Sequence, residues 1–291
     1  MFYLFSLLTG VLIAVMLVFN GELSGRYGIY SATVVIHVVG LILIAAVVLL
    51  RREKPFAKRH AWFLYLGGAI GVLTTVFNNF AFGRISITAI LALGLFGQSV
   101  AGLVIDHYGL WGMSKYPFSK RKLGGLALIL GGIAAMINNF EIVAVAVSFA
   151  AGVSIATART LNGMLADLTS VRVSTFFNYV IGLLGSILAF LVLGRGEMLS
   201  FGFDIVSLSP NWWIYLGGVL GVAVVLISNI VVTKVSAFYL TLLIFVGQVF
   251  AGITLDIVIS GELSFRAFIG GALVAVGLVI NLLLDNKRSL G

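Results

Sequence analysis

Two glutamines and two aspartates are the residues best placed to do chemistry in this sequence. Gln98 and Asp106 lie in Gly97-Gln98-Ser99-Val100-Ala101-Gly102-Leu103-Val104-Ile105-Asp106. The pattern returns, 150 residues on and without a gap, as Gly247-Gln248-Val249-Phe250-Ala251-Gly252-Ile253-Thr254-Leu255-Asp256. Each amide offers two donors and an acceptor, and each sits mid-way along an apolar run, where a polar group is costly and needs a reason. Two glutamines facing one cavity would hold a polar or zwitterionic solute. The competing reading is a glutamine that bonds a neighbouring helix, a contact worth about 0.6–2 kcal/mol. Each aspartate follows its glutamine by eight residues, about 12 Å along a helix. That places Asp106 and Asp256 near a membrane face, as solvated or capping carboxylates or as proton-sensitive gates. Arg84 and Lys234 correspond at the same offset, so an acid and a base at each mouth could exchange ion pairs.

Other polar residues recur in register. Gly67, Gly71, Thr75 and Asn79 step by four, and Gly217, Gly221, Val225 and Asn229 repeat the step. Residues four apart share a helix face. The glycines read as close helix packing; Asn79 and Asn229 read equally as packing or as site lining. Thr33 and His37 share a face of the second apolar run, and Thr175 aligns with Thr33, with Asn178 one turn beyond. His37 is either a titrating group near neutral pH or a hydrogen-bonded packing residue. Asn20-Gly21 and Asn162-Gly163 match at an offset of 142. They are either helix C-termini, where Asn and Gly are favoured, or helix interruptions beside a binding site.

The elements that must position these groups are membrane helices. Of 291 residues, 61% are hydrophobic and 10% charged, and the mean hydropathy is +1.17; soluble domains carry about 25% charged residues. The apolar runs are long and continuous, as spanning helices of about 20 residues require, and lack the alternation of a β-barrel. The expected spans are 2–19, 30–50, 61–81, 86–105, 122–140, 142–160, 173–193, 212–232, 237–258 and 266–284. With the N-terminus inside, fourteen of the 18 Lys and Arg residues fall in inner loops or at inner ends, Arg159 among them. The positive-inside rule thus favours both termini inside. Spans one to five (1–140) match six to ten (141–291), and because five is odd the second copy is inverted. The predicted fold is therefore all-α, ten transmembrane helices in two inverted-topology repeats, the arrangement by which many secondary transporters build a midplane site.

Several function classes drop out. There is no Cys, hence no disulfide or thiolate metal site. No Walker A loop, His-Glu-x-x-His signature or Gly-x-Ser-x-Gly elbow is present, so neither an enzyme nor a cofactor is expected. The net charge of +8 is a matter of topology here and not of nucleic-acid binding. No acid lies in the middle of any expected span, so the usual buried carboxylate of proton-coupled polycation export is missing.

The stretches Ser86–Asp106 and Ser236–Asp256, the asparagine near the end of the first span, Thr175 and Asn178, and Gly124-Gly125 together resemble the YdcZ-type branch of the drug/metabolite transporter superfamily. The chain resembles a fused two-unit form of proteins that are commonly single five-span units. The resemblance implies a bacterial inner-membrane exporter in which the first four spans of each half line a cavity and the fifth and tenth support them. On these grounds the expected function is secondary active transport of a small polar or amphipathic metabolite or drug by alternating access. A lipid flippase or lipid-export component and a non-transporting partner subunit are the alternatives. Membrane lipids, a proton or another coupling ion, and a homodimer partner complete the set of candidate partners.

Overall fold

The computed structural model describes residues 2–57, 59–112, 122–136, 141–198, 209–232, 237–261 and 265–289. Helices dominate them. They are α1 (Phe2–Tyr27), α2 (Ile29–Leu50), α3 (Leu66–Ala81), α4 (Ile87–Tyr108), α5 (Lys122–Met136), α6 (Ile142–Leu168), α7 (Val171–Leu193), α8 (Gly217–Val232), α9 (Ala237–Ser260) and α10 (Phe265–Ser289). Short 3-10 turns, Trp62–Tyr65 and Trp212–Leu216, lead into α3 and α8. Among the described residues, six helical stretches are long and apolar enough to cross a membrane, and four shorter apolar ones accompany them. Large apolar side chains lie bare on the outside, Ile42 at 66% and Leu188 at 63% exposure. Backbone polar groups in lipid must be satisfied within the segment, and a helix does this.

Local chemistry sets the helix ends. Ser86 caps α4, its hydroxyl accepting from the Ala89 N–H, and Gly109 ends that helix in the left-handed conformation at φ 62°. Ser170 caps α7 in the same way through the Val173 N–H. α1 and α6 each run eight residues past their expected ends. Asn20-Gly21 and Asn162-Gly163 therefore neither terminate nor interrupt a helix. Their backbones keep the helical ladder, and Gly21 leaves room for the Phe82 ring.

Glycine decides which helices cross closely. α1 packs on α9, α6 on α4, α2 on α7, α3 on α6 and α7, and α5 on α10. At Gly10 an added methyl would collide with the Ile244 carbonyl of α9; at Gly247 it would collide with the Leu7 carbonyl of α1. The matched positions do the same, Gly97 against the Phe149 carbonyl and Gly152 against the Gly94 carbonyl. Such small-residue contacts let backbones touch where no hydrophobic effect drives helices together.

Candidate functional site

Two ends of the bundle frame the polar residues. One, the Asp256 end, holds the starts of α2 and α4 and the ends of α1, α3, α7 and α9. The other, the Glu53 end, holds the end of α2 and the start of α7.

The Asp256 end is held together by contacts between distant parts of the chain. The Asp256 carboxylate accepts from the Ile87 N–H at 2.8 Å, the Thr88 N–H at 3.0 Å and the Thr88 hydroxyl at 2.6 Å. It thus sits on the N-terminus of α4, where the helix dipole favours a negative charge. Glu197, absent from the residues picked out by sequence, does the same for α2, accepting from the N–H groups of Tyr30 and Ser31 and from the Ser31 hydroxyl. The Tyr27 and Tyr215 hydroxyls are hydrogen-bonded to each other. Arg84 lies over the Phe80 ring and faces Glu141 at 3.9 Å. Arg84 thus faces Glu141, and the Asp256 carboxylate sits at the N-terminus of α4.

At the Glu53 end, Glu53 accepts from the Ser170 hydroxyl at 2.5 Å and pairs with Arg172. Glu53 and Glu197 each follow one helix and hold the start of its antiparallel neighbour. A carboxylate shortly after matched spans was the signal that could have found both.

Between the ends lie the amides. Asn79 is 3% exposed, and its side-chain oxygen and nitrogen are both buried without a hydrogen-bond partner. The side-chain oxygens of Asn20 and Gln248 are buried and unpartnered too. Asn20 occupies the space a side chain at Gly217 would need. Its match Asn162 fills the space beside Gly67 and donates to the Asn178 oxygen at 2.8 Å. Gln98 is half-buried and reaches only its own helix, the Gly94 carbonyl at 3.4 Å. The two glutamines thus differ in surroundings, Gln248 sealed and Gln98 open.

His37 is buried between α2 and α7, its Nδ1 2.7 Å from the Thr33 carbonyl and its ring 5.9 Å from that of Tyr179. Tyr179, its match at the offset of 142, bonds the Gly218 carbonyl at 3.3 Å. Thr33 and Thr175 are buried and turn back on the carbonyls four residues earlier. The side chains of Asn229 and Asp106 and the whole of Lys234 lie outside the described residues.

Matched positions differ sharply between the two ends. Leu17 on α1 is 3% exposed; its match on α6, Arg159, is exposed. Gly21 is covered by the Phe82 ring, while Gly163 has nothing within 4 Å of an added methyl. Gly252 meets Thr88 and Leu91 at 3.1–3.3 Å, while Gly102 meets nothing.

A family model described as "Putative inner membrane exporter, YdcZ" matches residues 1–135 and 143–280. The chain belongs to this family. It is accordingly an inner-membrane protein of the drug/metabolite transporter type, in a family of exporters and not of enzymes. The YdcZ family's match falls in two segments that meet near the boundary expected between the halves. A solved crystal structure of another protein is similar over 97% of both chains, with a TM-score of 0.61 and 17% identity; that likeness speaks for the fold alone. No curated protein matches the sequence.

Proposed function

We propose that this YdcZ-family protein is a secondary transporter whose ten spans form two inverted five-helix repeats, 1–140 and 141–291, working by alternating access. Matched residues making matched contacts support the inversion. Gly10 with Gly247 corresponds to Gly152 with Gly97, and Gly217 with Asn20 corresponds to Gly67 with Asn162. The carboxylates cross over in the same sense, Glu197 to α2 and Glu53 towards α7.

One observation carries the functional reading: at three matched pairs, Leu17 and Arg159, Gly21 and Gly163, Gly252 and Gly102, the member towards the Asp256 end is packed and the member towards the Glu53 end is open. Two states of one symmetric scaffold differ in just this way. The basic residues Arg51, Arg52, Lys54, Arg59 and Arg172 gather at the Glu53 end, which the positive-inside rule makes cytoplasmic. The conformation is then open inward and closed outward. In this reading a substrate enters from the Glu53 end, where Gln98 and Asn162 are both partly exposed; Asn79, Asn20 and Gln248 are the amides it meets once the inner side closes. Small polar or amphipathic metabolites fit such neutral amides in an apolar wall, moved outward as in the family's exporters.

The test uses single cysteines, for which this Cys-free chain is a ready background. Gly163→Cys should react with a membrane-impermeant maleimide in inside-out vesicles. Leu17→Cys should stay protected in right-side-out vesicles until substrate turns over. Equal reactivity of both sites from both sides refutes alternating access.

A further inference from the structure

Arg159 counts among the inner-loop cations when the helix is expected to end at residue 160, but α6 continues to Leu168. The guanidinium therefore belongs to a position nine residues, about 13 Å, inside the helix end. At about 100° per residue it shares a face with Ser148 and Gly152, seven and eleven residues earlier. Those two are buried, Gly152 against the Gly94 carbonyl of α4. Val143 and Ala146, exposed on the outer flank of α6, lie more than about 130° round the helix. Arg159 thus projects from the side of α6 that α4 covers nearer the helix start. There its side chain is exposed, as a group lining an accessible space between helices would be.

No described residue accounts for the charge. Arg159 makes no hydrogen bond or ion pair with any described residue. Repeat packing does not require it, because Leu17 occupies the matched position in the first half. A cation at membrane depth is costly and is kept where it faces a water-filled cavity or a substrate path. A guanidinium presents a planar fork of donors that fits carboxylate and phosphate oxygens.

We infer that the substrate carries an oxyanion, carboxylate or phosphate, and that Arg159 receives it in the inward-open hollow, beside the Asn162–Asn178 amide pair. This rests on the transporter reading above and narrows its substrate class. The neutral glutamines and asparagines then bind the rest of the molecule, and Arg159 supplies the discrimination against cations.

The experiment uses the Gly163→Cys variant, its thiol one turn from Arg159, in phosphatidylcholine nanodiscs. Its rates of reaction with sulfonate-bearing and trimethylammonium-bearing methanethiosulfonates are compared. A unit charge about a turn away should favour the sulfonate reagent, and Arg159→Gln should lower the rate ratio by roughly fivefold or more. Arg159→Lys should restore most of it, and Arg159→Met guards against a folding defect peculiar to Gln. Succinate and inorganic phosphate, added separately, should slow labelling when Arg159 is present and not in Arg159→Gln; whichever protects names the group. Protection seen only in nanodiscs containing phosphatidylglycerol assigns the site to a lipid headgroup and overturns a soluble substrate. A reactive Gly163→Cys thiol with an unchanged ratio, or with no protection by either anion, overturns the anion assignment alone. A Gly163→Cys thiol that is unreactive in every background overturns the inward-open reading with it.

Discussion

The Asp256 clasp offers the sharpest test of how the outer side is held. Asp256→Asn keeps the size of the side chain but removes its charge and one acceptor oxygen. The native carboxylate takes three hydrogen bonds, two from the Ile87 and Thr88 backbones and one from the Thr88 hydroxyl. Hydrogen bonds to a charged group contribute about 1.5–3 kcal/mol each when not fully wet, and a charge at a helix N-terminus adds about 0.3–1 kcal/mol. The amide retains some of these bonds and water replaces others at the membrane face, so a net loss of about 2 kcal/mol is expected. If the contact exists only when the outer side is closed, that loss shifts the equilibrium towards the outward-open state about 30-fold. The assay is the labelling rate of Leu17→Cys by an impermeant maleimide from the outside, with and without Asp256→Asn. An increase of about tenfold or more is expected. An unchanged rate together with a lowered melting temperature would show that the clasp persists in both states. Asp256 would then be a helix cap and nothing more, and its gating role would be refuted.

Three further outcomes follow from the same structure. Asn79→Leu removes two buried amide atoms that have no partner, so thermal stability should rise, by about 1–2 kcal/mol, while transport in liposomes falls; a destabilised variant would mean the amide is bonded in the fold. Gly152→Leu should abolish folded protein in a size-exclusion assay because a side chain there meets the α4 backbone, whereas Gly102→Ala, with open space around it, should leave the elution profile unchanged. Arg84→Ala should shift stability by less than about 0.5 kcal/mol in thermal unfolding, since the pair with Glu141 is long and its side chains are 40% and 50% exposed.

Much of the fold was legible because lipid is an unforgiving solvent. Long apolar runs in it form helices, and the paired Gln, Gly and Asp positions announced the duplication before any contact was known. The helix ends were less legible. Asn20-Gly21 and Asn162-Gly163 have the composition of a helix end, but both helices run on, and only Gly21 is needed for space, beneath the Phe82 ring. Arg159 reads differently for the same reason: about two extra turns of α6 place it well inside the helix and not in a loop.

Composition and residue spacing were enough to show that this protein is helical and membrane-embedded. These are local properties, readable without knowing any contact. Three-dimensional packing was needed to learn that Asp256 and Glu197 cap helices from a distant part of the chain, and that Gln98 and Gln248 inhabit different environments. These are contacts between residues far apart in the chain, and no local pattern encodes them.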